Sequence, residues 1–446
     1  MKRISILLWV AMLLQTAMAK SYDITDFGAK SDTTQLSTGA IQAAIDRCSA
    51  AGGGRVVVPA GKYKTGTLVL RSHVDLYLEP GAIIYGSTDL KDYMKMKSDY
   101  VSLRTCDSTI QLIYADGVEC VSISGQGTID GRGAAFKKLS WNDEGITRPH
   151  LLRFIQSRNI SVSGVTLRNS GCWMQHYLAC DRLHISGIKV FNRNNYNNDA
   201  IDIDGCHDVV VSDVMADSDD DGITLKSTSP RLCENVVIAN CIVSSHCNAI
   251  KLGTETNGGF RNINIMNCIV KPSDDQSTQF FGDPSKRGTS AISLEIVDGG
   301  VLENVHVNNI VAEGTESPIF IRLGNRARGY AKGVPVMQVG RIRNVHLSDI
   351  TVTGAGATGC SITGLPGHPV EDVWLSNITI QQNGGCRQVE VPADEKEKDY
   401  PEATMWGVLP AKGFFVRHAR RISFDHVELT TAQPDERPDF VRIDVE

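Results

Sequence analysis

A single-domain, all-β, right-handed parallel β-helix with a short N-terminal capping helix is the fold this chain predicts, and three observations carry that expectation. An eight-residue phrase of alternating β-formers recurs along the chain. Each copy is broken near its middle by Gly, Asp or Asn. The hairpin dipeptide Asn-Gly occurs only at Asn257-Gly258 and Asn383-Gly384. The phrase reads ISVSGVTL at 160–167, HISGIKVF at 184–191, VVVSDVMA at 209–216 and VVIANCIV at 236–243. It continues as INIMNCIV at 263–270, VHVNNIVA at 305–312, VHLSDITV at 345–352 and VWLSNITI at 373–380, with looser copies at 123–129 and 422–429. Alternation buries one face of each short strand. Gly164, Gly187, Asp213, Asn240, Asn267, Asn309, Asp349 and Asn377 are residue types that tolerate a left-handed backbone, so each turns the chain sharply without a hairpin. Such a corner every 23 to 42 residues stacks coil upon coil into a solenoid. A β-sandwich would need hairpin turns that the sequence lacks.

The elements follow in order. Lys2 and Arg3, an apolar run over 4–14 and Ala17-Met18-Ala19 form the pattern of a cleavable export signal over residues 1–19, leaving a β-helix domain over 20–446. No Cys follows the cleavage site and no second long apolar segment appears, so the expectation is a periplasmic or secreted chain without a membrane span. Ile41, Ala44, Ile45 and Cys48 recur at helical spacing within 38–51, and Gly52-Gly53-Gly54 ends the helix; it would close the open N-terminal coil. Cys241 and Cys268 fill one slot of successive coils and read as stacked buried thiols, and Asn240 and Asn267 as an internal amide ladder. Segments 279–289, 326–340 and 394–413 interrupt the rhythm and would wall a cleft. The formal net charge is −6, and −8 without residues 1–19. That balance argues against nucleic-acid or anionic-membrane partners.

Carboxylates converge at one place. Asn197-Asn198-Asp199-Ala200-Ile201-Asp202 leads into one coil and Ser218-Asp219-Asp220-Asp221-Gly222 into the next. Asp199 and Asp220 lie 21 residues apart, close to one coil, and are expected one above the other with Asp221 beside them. Rungs about 4.8 Å apart make such acids raise one another's pKa. A calcium site and a solvated acidic face are the bland readings; Ile201, Ile203, Ile223 and Leu225 tie both segments to core strands, which suits a rigid catalytic constellation.

At these residues the chain resembles glycoside hydrolase family 28, the polygalacturonase family, over essentially the whole length after residue 19. The resemblance rests on Phe27-Gly28-Ala29-Lys30, Val58-Pro59-Ala60-Gly61, Leu78-Glu79-Pro80-Gly81-Ala82, Ile123-Ser124-Gly125-Gln126-Gly127 and Asn169-Ser170 leading to Trp173 and His176. Asn197-Asn198-Asp199 stands for the family's Asn-Thr-Asp and Asp220-Asp221 for its aspartate pair. The resemblance implies hydrolysis of an α-glycosidic bond in a pectic poly- or oligosaccharide, with inversion and without a cofactor or metal. It implies Asp220 as general acid, with Asp199 and Asp221 holding and deprotonating the water. Inversion needs acid and base roughly 6.5–9.5 Å apart to admit that water.

Two departures stand out. The family's Gly-His-Gly is Cys247-Asn248-Ala249 here, with Asn248 in the histidine's place and His246 nearby. Its uronate-gripping Arg-Ile-Lys falls on Ser290–Glu295, which holds no cation. Lys226 and Lys251 are candidate replacement cations, Arg322 and Arg326 more remote ones. Asn197, Asp202, His176 and Glu255 complete the candidate sugar contacts, with Trp173 and His176 as a candidate platform. The loss of Arg-Ile-Lys shifts the expected substrate toward a rhamnogalacturonan-type linkage, and the long insertions toward exo action. A β-helix lyase and a non-catalytic carbohydrate-binding solenoid are the rival readings.

Overall fold

The computed structural model describes residues 20–140, 143–275 and 287–446; the expected export signal and most of the 279–289 insertion lie outside these residues. Successive coils pair in parallel from Ser21–Asp23 to Phe440–Val445, with crossovers of the right-handed kind that parallel strands require. Among the described residues the antiparallel strand pairing is that of Lys95–Met96 on Thr109–Asp116. The stack has a physical cause in the sequence phrase. Val121, Ile160, Leu183, Val209, Val236, Ile263, Val305, Val345 and Val373 fall in register on consecutive coils and are buried. Each such side chain contributes about 1.5–3 kcal/mol by leaving water.

All eight expected corner residues carry a positive φ, from 51° at Asn309 to 72° at Gly164. A second left-handed corner, unforeseen, runs through Cys120, Asn159, Arg182, Asp208, Asn235, Asn262, Asn304, Asn344 and Asp372. The amide ladder exists but is exposed rather than internal: Asn309 donates to Asn267 at 2.9 Å, Asn267 to Asn240 at 3.3 Å and Asn240 to Asp213 at 3.4 Å. Beside the second corner runs a ladder of alternating acidic and basic side chains. Glu119, Arg158, Asp181, His207, Glu234, Arg261, Glu303, Arg343, Glu371 and Arg420 are in register, with Arg343–Glu303 at 2.7 Å. Like charges in register would repel at every rung; alternation fixes the register at about 0.2–1 kcal/mol per exposed pair.

The helix spans Thr38–Ala50 and buries Ile41, Ala44, Ile45 and Cys48 completely over the first coils. Cys241 and Cys268 are free buried thiols.

Candidate active site

On the strands that bear the acids, Leu152, Ile203 and Leu225 point inward, while Arg153, His176, Asp202, Thr224, Lys251 and Ser293 form one outward row on six consecutive coils. The segment before this row presents Asp199 rigidly. Asn198 accepts from Asn194 N at 2.9 Å and Asn195 N at 2.6 Å and donates to the Ser170 and Cys172 carbonyls, while Asn192 donates to Asp199 O at 2.9 Å. Ile201 pairs with Ile223, so Asp221, not Asp220, stacks over Asp199, a correction of one residue to the expected register. Gly222 lets Asp221 close in: a Cβ there would stand 2.3 Å from Ala249 O.

Two buried lysines organise the acids. Lys226 Nζ lies 3.5 Å from Asp202, 3.7 Å from Glu255 and 3.8 Å from Asp199. Lys251 Nζ lies 3.1 Å from Asp221. Their environments then separate the four carboxyls. Burial raises the Asp199 carboxyl well above the usual range, helped by the Asp220 charge, and burial with Asp199 beside it does the same to Asp202. Burial and the adjacent Asp221 push Asp220 up to about 7. Burial also acts on Asp221, but Lys251, Lys226 and the Asn248 amide outweigh it and hold that carboxyl below its ordinary value. One neighbour thus keeps a proton while the other stays ionised, the division of labour that acid–base chemistry requires. Asp220, Asp221 and Cys247 offer donor atoms within 4.8 Å of one another, so these two acids stand closer than the roughly 6.5–9.5 Å expected between an inverting acid and base, and a cation there would face the Lys251 ammonium.

Asn248 lies buried beside Asp221, in company that the sequence did not announce. Its amide donates to Asp221 Oδ1 at 2.9 Å and to Glu402 Oε1 at 3.3 Å, and its carbonyl accepts from Ser290 Oγ at 2.7 Å. Glu402 comes from the 394–413 insertion, as does Tyr400, whose hydroxyl lies 3.3 Å from Lys251 Nζ and accepts from Thr254 at 2.9 Å. Burial pushes Glu402 up to about 7 against the pull of Lys251, which lies 3.9 Å away. Once ionised, Glu402 competes with Asp221 for Lys251 and Asn248. Glu402→Gln, which mimics the neutral carboxyl, is therefore expected to keep the pH 5 rate within about threefold. The alkaline decline, steepened in the native protein by two groups titrating near pH 7, becomes a single ionisation in the variant. A pH–rate profile checks both.

The remaining candidates divide. Glu255 lies in the cleft and is held ionised: burial opposes its charge, but Arg104 at 2.6 Å, Lys226 and Arg328 at 3.5 Å overcome that. His246 is not a cleft residue; it is buried, bonded to Asp219 Oδ1 at 2.7 Å and contacted by Arg193, so it supports the Ser218–Asp221 turn from beneath. Asn197 is occupied in accepting from Arg148 at 2.9 Å. His176 donates or accepts at Asp204 across 3.1 Å, and burial lowers it to about 4, so it is neutral. Trp173 is not a sugar platform: Arg104 and Lys226 sit 4.4 and 4.6 Å from its ring centroid and it is 3% exposed. Glu295, at the place of the absent cations, is fully buried and bonded to Ser293 at 2.7 Å.

One wall was unforeseen. Segment 97–109 crosses the cleft, with Leu103 N donating to Thr228 O at 2.9 Å and Tyr100 hydrogen-bonded to Ser229 at 2.8 Å. It closes the end of the trough nearer the N-terminus and leaves a cavity of about 320 Å³ lined by Arg104, Arg153, Trp173, His176, Glu255 and Arg328.

Comparison with known proteins agrees with this geometry. The family model of glycosyl hydrolases family 28 matches residues 48–396. A probable polygalacturonase of Vitis vinifera is 32% identical over 219 residues, 47% of this chain and 45% of that protein. An exo-poly-alpha-D-galacturonosidase of Dickeya chrysanthemi is 37% identical over 162 residues, 34% of this chain and 26% of that protein. The chain thus matches less than half the length of these relatives. In fold it is similar to the hyperthermoactive exopolygalacturonase of Thermotoga maritima, with a TM-score of 0.71 at 20% identity over 92% of both chains.

Proposed function

The chain belongs to glycosyl hydrolases family 28, and on that premise we propose that it hydrolyses an α-glycosidic bond in a pectin-type polysaccharide with inversion, releasing sugars from one chain end. A single observation carries the reading: Asp220, raised to about 7, adjoins Asp221, which Lys251 at 3.1 Å keeps ionised. Asp220 then protonates the glycosidic oxygen as the bond breaks. Asp199, backed by Lys226, and Asp221 together hold the attacking water and take its proton. Segment 97–109, laid across the cleft by its bonds to Thr228 and Ser229, supports exo action, which requires a trough that admits the chain from one side. Residues 1–19 support export, with residues 20–446 as the working domain.

Incubation with defined pectic oligosaccharides tests this. The expected products are short sugars from the first time point onward, with inverted anomeric configuration by NMR. The expected activity survives a chelator and creates no ultraviolet-absorbing double bond. Mid-length fragments at early times would overturn exo action, retained configuration would overturn inversion, and an unsaturated product would replace hydrolysis by elimination.

A further inference from the structure

We propose that the closed end of the trough is a carboxylate-reading subsite and that Arg153 is the specificity-determining residue that binds the acid group of the sugar seated there. The inference deepens the hydrolase reading and rests on it. Arg153 is 2% exposed and lines the cavity. Its Nη1 donates to Thr109 Oγ1 at 2.7 Å and its Nη2 to the Arg104 carbonyl, while its buried Nε has no partner. Among the described residues no carboxylate forms an ion pair with it. Of the four other equally buried arginines three are matched, Arg148 to Asp143 at 2.7 Å, Arg193 to Asp217 at 2.9 Å and Arg437 to Asp435 at 2.9 Å; the fourth, Arg322, lies outside the cavity, donating to the Thr363 hydroxyl and the Gly364 and Glu395 carbonyls against the Trp406 ring. An unmatched guanidinium out of water is costly unless an anion arrives to meet it.

The surroundings do not neutralise this charge. Arg104 and Arg328 both contact Glu255, with Lys226 3.7 Å from it, and Arg328 also meets Asp298 at 3.4 Å; none of these carboxylates pairs with Arg153. His150 and His176 are neutral, both lowered first by burial and further by the Arg153 charge. Asp107 is exposed and Glu144 half-buried at the same cavity. Burial lowers Arg153 only to about 10, so it stays charged at neutral pH. Arg153 is in register with His176, His176 with Asp202 and Asp202 with Thr224, which puts it two rungs, about 10 Å, from the coil of Asp199 and three, about 14 Å, from that of Asp220 and Asp221. That separation suits the end sugar of a chain rather than the scissile bond. A planar carboxylate is the anion that a guanidinium pairs with best.

Calorimetry on the full chain with D-galacturonate, galactose and sulfate provides the test, because it needs no turnover. Native protein is expected to bind galacturonate about 30-fold tighter than galactose, the range of a hydrogen bond to a charged group. Arg153→Gln is expected to shrink that ratio to about threefold and Arg153→Lys to restore part of it. With acid-ended oligomers, Arg153→Gln raises KM about 30-fold at nearly constant kcat, while oligomers whose end sugar is carboxyl-reduced are cleaved as by the native protein. Equal binding of galacturonate and galactose by the native protein overturns the proposal. So does sulfate binding as tightly as galacturonate, or an Arg153→Gln variant of unchanged melting temperature that binds galacturonate as before. If no pectic oligomer is cleaved but the binding ratio holds, the hydrolase reading fails and the subsite stands.

Discussion

Asp220→Asn is expected to lower kcat about 10³–10⁴-fold while leaving KM and the melting temperature near those of the native protein. The amide replaces the carboxyl atom for atom, and its carbonyl still accepts the 2.9 Å bond from the Asp221 backbone N–H. What it lacks is a transferable proton. Burial and Asp221 together hold the native proton on Asp220 up to about pH 7, so the native rate falls as pH rises through that value. The variant's residual rate keeps only the shallower single-ionisation limb that Glu402 sets. The sign follows from the role: an acid works below its pKa, and raising the pKa widens the working range upward. A substrate with a good leaving group needs little protonation, so the variant recovers most of its rate on an aryl glycoside but not on an oligosaccharide. Comparing the two substrates over pH 4–9 settles the role. Equal losses on both make Asp220 a positioning group, and no loss on either removes it from the chemistry. A binding solenoid would show unaltered affinity and no turnover in either form.

What the sequence made legible has a common property: it repeats. Stacked aliphatics and left-handed corners recur at one coil's spacing, and repetition makes a weak local signal strong. The second corner escaped notice because Cys120 and Arg182 share it with Asn and Asp, so no residue type marks it. The acid cluster was legible as a cluster but not to the residue. Counting along the chain gave Asp199 over Asp220, whereas hydrogen bonding fixes an offset of 22 between Ile201 and Ile223. His246 looked like a spare histidine for the missing one, yet its ring turns inward to Asp219. Tyr400 and Glu402 were invisible in a different way. They lie about 150 residues from Lys251 and Asn248 in the chain, on an insertion with no period, and only folding brings them together. Arg104 and Arg153 belong to the same class: nothing in their neighbours' spelling shows that one loop crosses the trough.

Lys226→Met gives the second large effect, and it tests whether the lysine or the crowding governs the acids. Lys226 is the cation that touches both Asp199 and Asp202, at 3.8 and 3.5 Å, and its side chain is 5% exposed. Methionine keeps most of the stem and removes the charge. Glu255 retains Arg104 at 2.6 Å, but Asp199 is left chiefly to burial and Asp220, and Asp202 to burial and Asp199, the influences that already raise them. Their native-state pKa values then rise further above those of the unfolded chain, so the folded form binds more protons than the unfolded one. Stability accordingly falls as pH rises. Breaking a buried pair costs about 3–5 kcal/mol; the full loss is expected at pH 8 and a smaller one at pH 5, where the two carboxyls take up protons in place of the ammonium. The same proton uptake disables Asp199 as a water-holding group, so kcat drops about 10²–10³-fold and the acidic limb of the rate profile moves to higher pH. Melting curves at pH 5 and 8, read beside that profile, separate the outcomes. A uniform loss at both pH values would mean Lys226 matters through packing alone, whereas a loss confined to high pH ties its charge to the two aspartates that the trough crowds together.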